Sequence, residues 1–502
     1  MTSLIRKIFS IGLGALTAFG VAAVICLALF MWSCGEGEKV AGLETQIEKL
    51  ATEKADLQNQ VSALEGATAK STGGQTIKIV VWAPADQNER YRFEAVRLAA
   101  NVLNEELKIE GRDIQVTVSS RSFAGSQTWQ QLKQGFSLAV EAGQGPHIIV
   151  GGHEDIPVWG HAGLILPIED HVDLEAWPFS DVFPSLWPIM SWNGQVWGVP
   201  QDAESRPFFG WKPHLKAIGY SDADIAALPG KIKSGQYTLQ NVLEDAKKIQ
   251  DKGLVEKGYG FYPRATKGGD YWQFYAVQKG GDMIDAKSGK LILDKGALLG
   301  YYQFFHDAVF KFGVTKKNHL GMEWDQWYNE VANGKAGLWH GGTWHYARYT
   351  RREGLADFFG TVVFALIPSG GAGGKATTLT HPLTYLISKQ AKDDELEVAA
   401  RLITIVSEPR LNTLHAIASA HLGITTAQTK VSQYSDDRWT AEATDLLKNA
   451  FALPNSTDFG QYDTLVWKGL TASWSGDLSP EEAVDTVVKE MKATMAGKVI
   501  IR

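Results

Sequence analysis

The chain has 502 residues, 44% of them apolar and 21% charged, which is an ordinary globular composition. Its net charge of −7 argues against a nucleic-acid partner, which would call for basic patches. Both cysteines, Cys26 and Cys34, lie in or beside one apolar segment, so the rest of the chain has neither a disulfide nor a cysteine metal site.

Arg6 and Lys7 precede an uncharged run from Ile8 to Trp32. That run is long enough to span a bilayer, and the charges before it orient the remainder outside the cytoplasm. Ser33-Cys34 also fits a lipoprotein signal, with Cys34 lipidated, although Met31 and Trp32 suit it poorly. Either reading makes residues 1–34 a tether. Leu43, Ile47, Leu50, Lys54, Leu57, Val61 and Leu64 then alternate steps of four and three. This heptad seam predicts a helical stalk within residues 35–75, either a weakly self-associating coiled coil or a single spacer helix.

Beyond the small, polar linker that ends near Gln75, Ile77–Val81 reads as a buried strand. Phe93, Val96, Ala100, Leu103 and Leu107 mark an amphipathic helix, and Ile114–Val118 a second strand. Leu132, Phe136 and Val140 mark another helix, and His147–Val150 a third strand. This β-α-β-α-β order predicts an α/β fold with a parallel sheet, whose ligands sit beyond the carboxyl ends of the strands. The loops expected there carry Trp82, Asp86, Glu89 and Arg90, then Arg121 and Ser122, then His153, Glu154 and Asp155. A less regular α/β stretch follows through Gly198–Gly281, then a helical region rich in aromatics. Leu396, Ala399, Ile403 and Val406 mark a further helix, and Ser479-Pro480-Glu481-Glu482 opens the last one.

Several segments, in order, carry a resemblance. GQGPHIIVGGHEDIPVWGHAGLILPIEDH (143–171), WNGQVWGVPQDAESRPFFGWK (192–212), NGKAGLWHGGTW (333–344), PLTYLISKQAKDDELEVAARLITIVSEP (382–409) and LSPEEAVDTVVKEMKATM (478–495) together resemble the family 1 extracellular solute-binding proteins, the maltose-binding-protein group. His147 stands where that family usually has Asp. The resemblance implies a two-lobed periplasmic-binding-protein-like α/β fold with a hinge and an interlobe cleft, spanning residues 76–502. Lobe 1 would take roughly residues 76–195 and 377–430, and lobe 2 roughly 196–376 and 431–502.

Together with the tether read from residues 1–34, it further implies an extracytoplasmic protein that binds a sugar or oligosaccharide and delivers it to the permease subunits of an ABC importer, without catalysis or cofactor. The 17 Trp, 15 Tyr and 21 Phe suit sugar faces as well as cores. Trp344 matches the family's sugar-stacking tryptophan. Gln201, Asp202, Glu204 and Arg206 follow the hairpin and would reach hydroxyls. Tyr271 and Trp272 fall where the second lobe supplies aromatics, and Trp82, Asp86 and Arg90 follow the first strand.

Two other readings compete: a sugar-binding protein that feeds a sensor, and a carbohydrate-active enzyme using carboxylates such as Asp202 and Glu204. The glycine-rich stretch from Ser369 lacks the first Gly and the final Ser or Thr of a phosphate loop. His340 and His345 are five apart rather than four, so no metal site is expected from them.

Overall fold

A computed structural model of the chain describes residues 74–85, 89–123 and 128–502. The expected tether, Cys34, the stalk and Asp86 lie outside the described residues. Among the described residues no helix is long and apolar enough to cross a membrane.

In β1 (Gln75–Pro84), Ile77, Ile79 and Val81 are buried in alternation, as a strand with one face on a core requires. α1 (Tyr91–Ile109) buries Val96, Ala100, Leu103 and Leu107 along one stripe. β2 (Ile114–Phe123) and α2 (Thr128–Glu141) follow, and Leu132, Phe136 and Val140 of α2 are fully enclosed. β3 runs from Ile148 to Gly152 and is buried throughout. The expected strands are thus present, with two corrections. Trp82, Arg121 and Ser122 belong to strands rather than to the loops after them. His147 stands just before β3, where its backbone N–H donates to the Val80 carbonyl and its Nδ1 accepts from the Val80 N–H.

β4 (Ile165–Leu166) and β5 (Gly198–Pro200) follow. The chain then builds a second, smaller sheet from β6 (Phe208–Trp211), β7 (Leu338–His340) and β8 (Val362–Ala365). Its order is β7-β6-β8 and both pairings are antiparallel, so this stretch is not the parallel α/β repeat that the first lobe's pattern suggests. Between β6 and β8 lies α3 (Trp324–Ala332).

β9 (Leu383–Ser388) returns to the first sheet, whose order is β2-β1-β3-β9-β4, with β5 also paired to β9. β1 and β3 are parallel, whereas β9 is antiparallel to β3, β4 and β5. α4 (Asp393–Val406) and α5 (Pro409–Ser419) come next, and α4 buries Val398, Ala399, Leu402, Ile403 and Val406. The chain ends with α6 (Phe459–Ser475) and α7 (Pro480–Thr494). α7 starts as its sequence predicts: the Ser479 hydroxyl accepts from the Glu482 N–H, Glu482 caps in return, and Pro480 opens the helix.

Two apolar interiors dominate, with a third, smaller one where Trp82, Phe136, Trp159 and Trp197 meet. One gathers side chains from β1, α1, β3, β9 and α4. The other, larger one gathers residues from Phe208 to Leu379 and from Ala420 to Met495, together with Val182, Leu186 and Ala203. Three stretches of chain pass between them. Ala203 and Leu422 exchange backbone hydrogen bonds at 2.9 and 2.7 Å, tying the first crossing to the third. The Gln201 N–H donates to the Leu383 carbonyl at 2.7 Å, tying the first to the second.

Candidate ligand-binding cleft

Residues from both lobes wall one cavity of about 750 Å³, a size usual for small-ligand sites. Glu89, Arg92, Phe123, Trp129, Lys133 and Glu154 come from the first lobe. Glu204, Arg206, Arg264, Trp324, Tyr328 and Trp344 come from the second, and His381, Ser419 and His421 from the crossings.

Charged side chains of alternating sign span the cleft. The Lys133 ammonium lies 3.0 Å from the Glu154 carboxylate, which lies 2.8 Å from His381 Nε2. His381 Nδ1 is 3.5 Å from Glu204, which accepts from Arg206 at 3.0 Å. Arg206 reaches Asp270 at 3.2 Å, and Asp270 is 4.0 Å from Arg264. Burial opposes charge on each carboxylate, but neighbouring cations prevail. His381 and Lys133 hold Glu154 well below the usual carboxylate range. Arg206 lowers Glu204, and Arg264 and His340 hold Asp270 far down. Burial likewise disfavours charged His381, yet Glu154 and Glu204 push it up to about 9.

Trp344 stands at the centre of the wall. β7 positions it through a Gly-Gly turn whose Gly341 N–H donates to Pro207. A Cβ on Gly342 would lie 1.9 Å from the Trp344 ring, so only glycine fits there. The Trp344 indole N–H donates to Tyr328 at 3.1 Å, its ring stacks 5.7 Å from His421, and the Arg206 and Arg264 guanidinium carbons lie 5.3 and 5.6 Å from its centroid.

Of the residues singled out in the sequence, Glu89, Glu154, Glu204, Arg206 and Trp344 are brought together in the wall. Gln201 and Asp202 stand behind it, fully buried in the first crossing. The Asp202 carboxylate accepts from the Leu383 N–H at 3.0 Å and meets His415 Nε2 at 2.9 Å. Burial opposes its charge, but His421, His415 and Arg92 hold it down at about 2. Tyr271 and Trp272 lie in the second lobe's interior. The Tyr271 hydroxyl donates to the Arg264 carbonyl, and Trp272 stacks on Tyr462 at 5.1 Å while its N–H donates to Asp463. Trp82 packs on Phe123 beneath Arg121. Arg90 is exposed and lies over Tyr91.

Sequence reasoning missed Arg92, Lys133, Arg264, Tyr328, His381 and His421 as wall residues. No local motif announces them, because each comes from a different segment.

His153, Glu154 and His381, and separately Asp202, His415 and His421, have the donor atoms and spacing of a metal centre. Each set already adjoins a fixed cation. Lys133 lies 3.0 Å from Glu154, and Arg92 lies 3.3 Å from His421 and 4.0 Å from Asp202. These cations already balance the carboxylates.

Comparison with known proteins matches residues 110–448 to the bacterial extracellular solute-binding protein family. A maltotriose-binding protein of Pyrococcus abyssi is 22% identical over 243 residues, covering 47% of this chain and 44% of that protein. The match thus spans less than half of that relative's length. Among solved structures, the GacH receptor of Streptomyces glaucescens, known unliganded and with acarbose, superposes with a TM-score of 0.66 at 15% identity. That match covers 84% of this chain and 98% of GacH. Maltose-bound MalE3 of T. maritima gives 0.65 at 19% identity, covering 83% and 99%. These similarities show a shared two-lobed α/β fold.

Proposed function

The chain belongs to the bacterial extracellular solute-binding proteins, and on that footing we propose that it binds a sugar or oligosaccharide in the interlobe cleft and hands it to the permease of an ABC importer. The observation that carries this reading is the makeup of the wall: indoles and a phenol beside carboxylates and guanidinium groups already oriented by their own ion pairs. Such a surface offers flat apolar faces to sugar C–H groups and paired hydrogen-bonding atoms to hydroxyls. Polar groups fixed before the ligand arrives lose less freedom on binding. Closure of the lobes about crossings near residues 200–205, 379–383 and 419–422 brings both walls onto the ligand and expels water.

Trp344, Glu204 and Arg206 are the ligand contacts we assign from the initial candidates. We read residues 1–34 as the tether and residues 35–75 as the stalk that sets the clamp off an extracytoplasmic membrane face.

Thermal denaturation of the full-length protein against a panel of mono- and oligosaccharides tests the reading. At least one sugar is expected to raise the melting temperature in a concentration-dependent way. A panel in which none does overturns it.

A further inference from the structure

Six of the seven arginines and lysines in the cleft wall have a carboxylate oxygen within 3.0 Å. Arg264 is the exception. Its one carboxylate neighbour among the described residues is Asp270 at 4.0 Å, and Asp270 is already engaged by Arg206 at 3.2 Å and faced by His340 at 3.3 Å. The Arg264 guanidinium makes no hydrogen bond to another described residue, although the residue is only 9% exposed.

The structure holds this side chain firmly. The Arg264 N–H donates to His340 Nε2 at 3.2 Å, and its carbonyl accepts from the buried Tyr271 hydroxyl. The preceding Pro263 carbonyl accepts from the Trp327 indole at 2.8 Å. The guanidinium carbon lies 5.2 Å from the Trp324 centroid and 5.6 Å from that of Trp344. Two indoles thus flank a cation whose N–H donors are unspent at the cavity surface. A cation so far withdrawn from water is costly without a close counter-charge.

We propose that the sugar taken by this cleft carries a carboxylate, as a uronic acid does, and that Arg264 is the fork that reads it. The proposal rests on the sugar-binding reading above. A carboxylate matches the planar guanidinium with two parallel hydrogen bonds, which a hydroxyl cannot do. It also brings a negative charge nearer to Arg264 than Asp270, which stands 4.0 Å away and is shared with Arg206. A dianionic phosphate would bring a second charge beside the ionised Glu204 and Asp270. The flanking indoles stay available to the pyranose ring that bears the acid.

Calorimetry on the full-length protein with matched pairs, galacturonate against galactose and glucuronate against glucose, as single sugars and as their disaccharides, tests this. In at least one pair the acid is expected to bind at least tenfold more tightly than its neutral twin. Arg264→Gln is expected to bring that ratio near one, and Arg264→Lys, which keeps the charge without the fork, to an intermediate value. Melting curves of both variants establish that they fold, and the lysine variant carries the test if the glutamine variant does not. Neutral sugars binding as tightly as their acids would overturn the proposal and leave the sugar-binding reading standing. So would glucose 6-phosphate outbinding glucuronate, or an acid preference that survives in both variants. Failure of every sugar would overturn the proposal together with that reading.

Discussion

Glu154 and His381 meet at 2.8 Å, joining the segment after β3 in the first lobe to the second of the three crossings. The same imidazole faces Glu204 at 3.5 Å on its other side, with Arg206 and His153 nearby. One protonated ring therefore links two carboxylates that stand on different parts of the clamp.

This contact has a defined pH dependence. The His381 pKa is about 9 in the folded protein, above the ordinary value near 6.5. Its contribution is therefore complete below pH 6.5 and disappears as pH rises through 9. The shift corresponds to at most about 3 kcal/mol. Melting temperature measured from pH 7 to pH 10 should fall across the upper half of that range. In His381→Gln the fall should be largely absent.

Trp344→Ala should weaken sugar binding at least tenfold, or about 1.4 kcal/mol. The loss includes the ring itself and the platform it gives Arg206 and Arg264. Calorimetry with the best sugar of the panel reads it directly, and an unchanged affinity would remove Trp344 from the ligand contacts.

Trp272→Ala should behave in the opposite way. The ring is 3% exposed and stacked on Tyr462 in the second lobe's interior. Its loss should cost about 3–5 kcal/mol of stability. Urea titration should show this, while affinity measured well below the transition stays within about twofold.

Asp202→Ala should also destabilise, although Asp202 itself lies behind the cleft wall. It removes the acceptor of the Leu383 N–H and the partner of buried His415 and Arg92. Stripping a buried charge of its partner costs about 3–5 kcal/mol. The same titration measures it.

The first lobe was largely legible in the chain because its helices carry apolar stripes and its strands are β-branched runs between them. The terminal helix was legible through its Ser479–Glu482 cap. The second sheet was not, because its strands of three or four residues are buried on both faces and show no alternation. β9 sits in a segment that the family resemblance marks, but its place beside β3 depends on a return across the hinge that no local pattern encodes.

In the cleft, residue type misleads where burial and recognition ask for the same chemistry. Tyr271 and Trp272 read as ligand platforms and serve as interior packing. Asp202 reads as a hydroxyl partner and pins two crossings together. Arg264 drew no notice because an arginine between Pro263 and Ala265 looks like any surface charge. Its setting is made by Trp324 and Trp344, which lie far along the chain.

The placement of β9 inside the first sheet, together with α6 and α7 against the second interior, bears on how the protein is made. While the ribosome is still short of Leu383, β3 has a bare edge, and the larger interior lacks its closing helices. Neither half can finish until the last quarter of the polypeptide emerges. A chain that stops short of Leu383 lacks both the strand that pairs β3, β4 and β5 and the helices that close the larger interior, so truncation there impairs both halves at once.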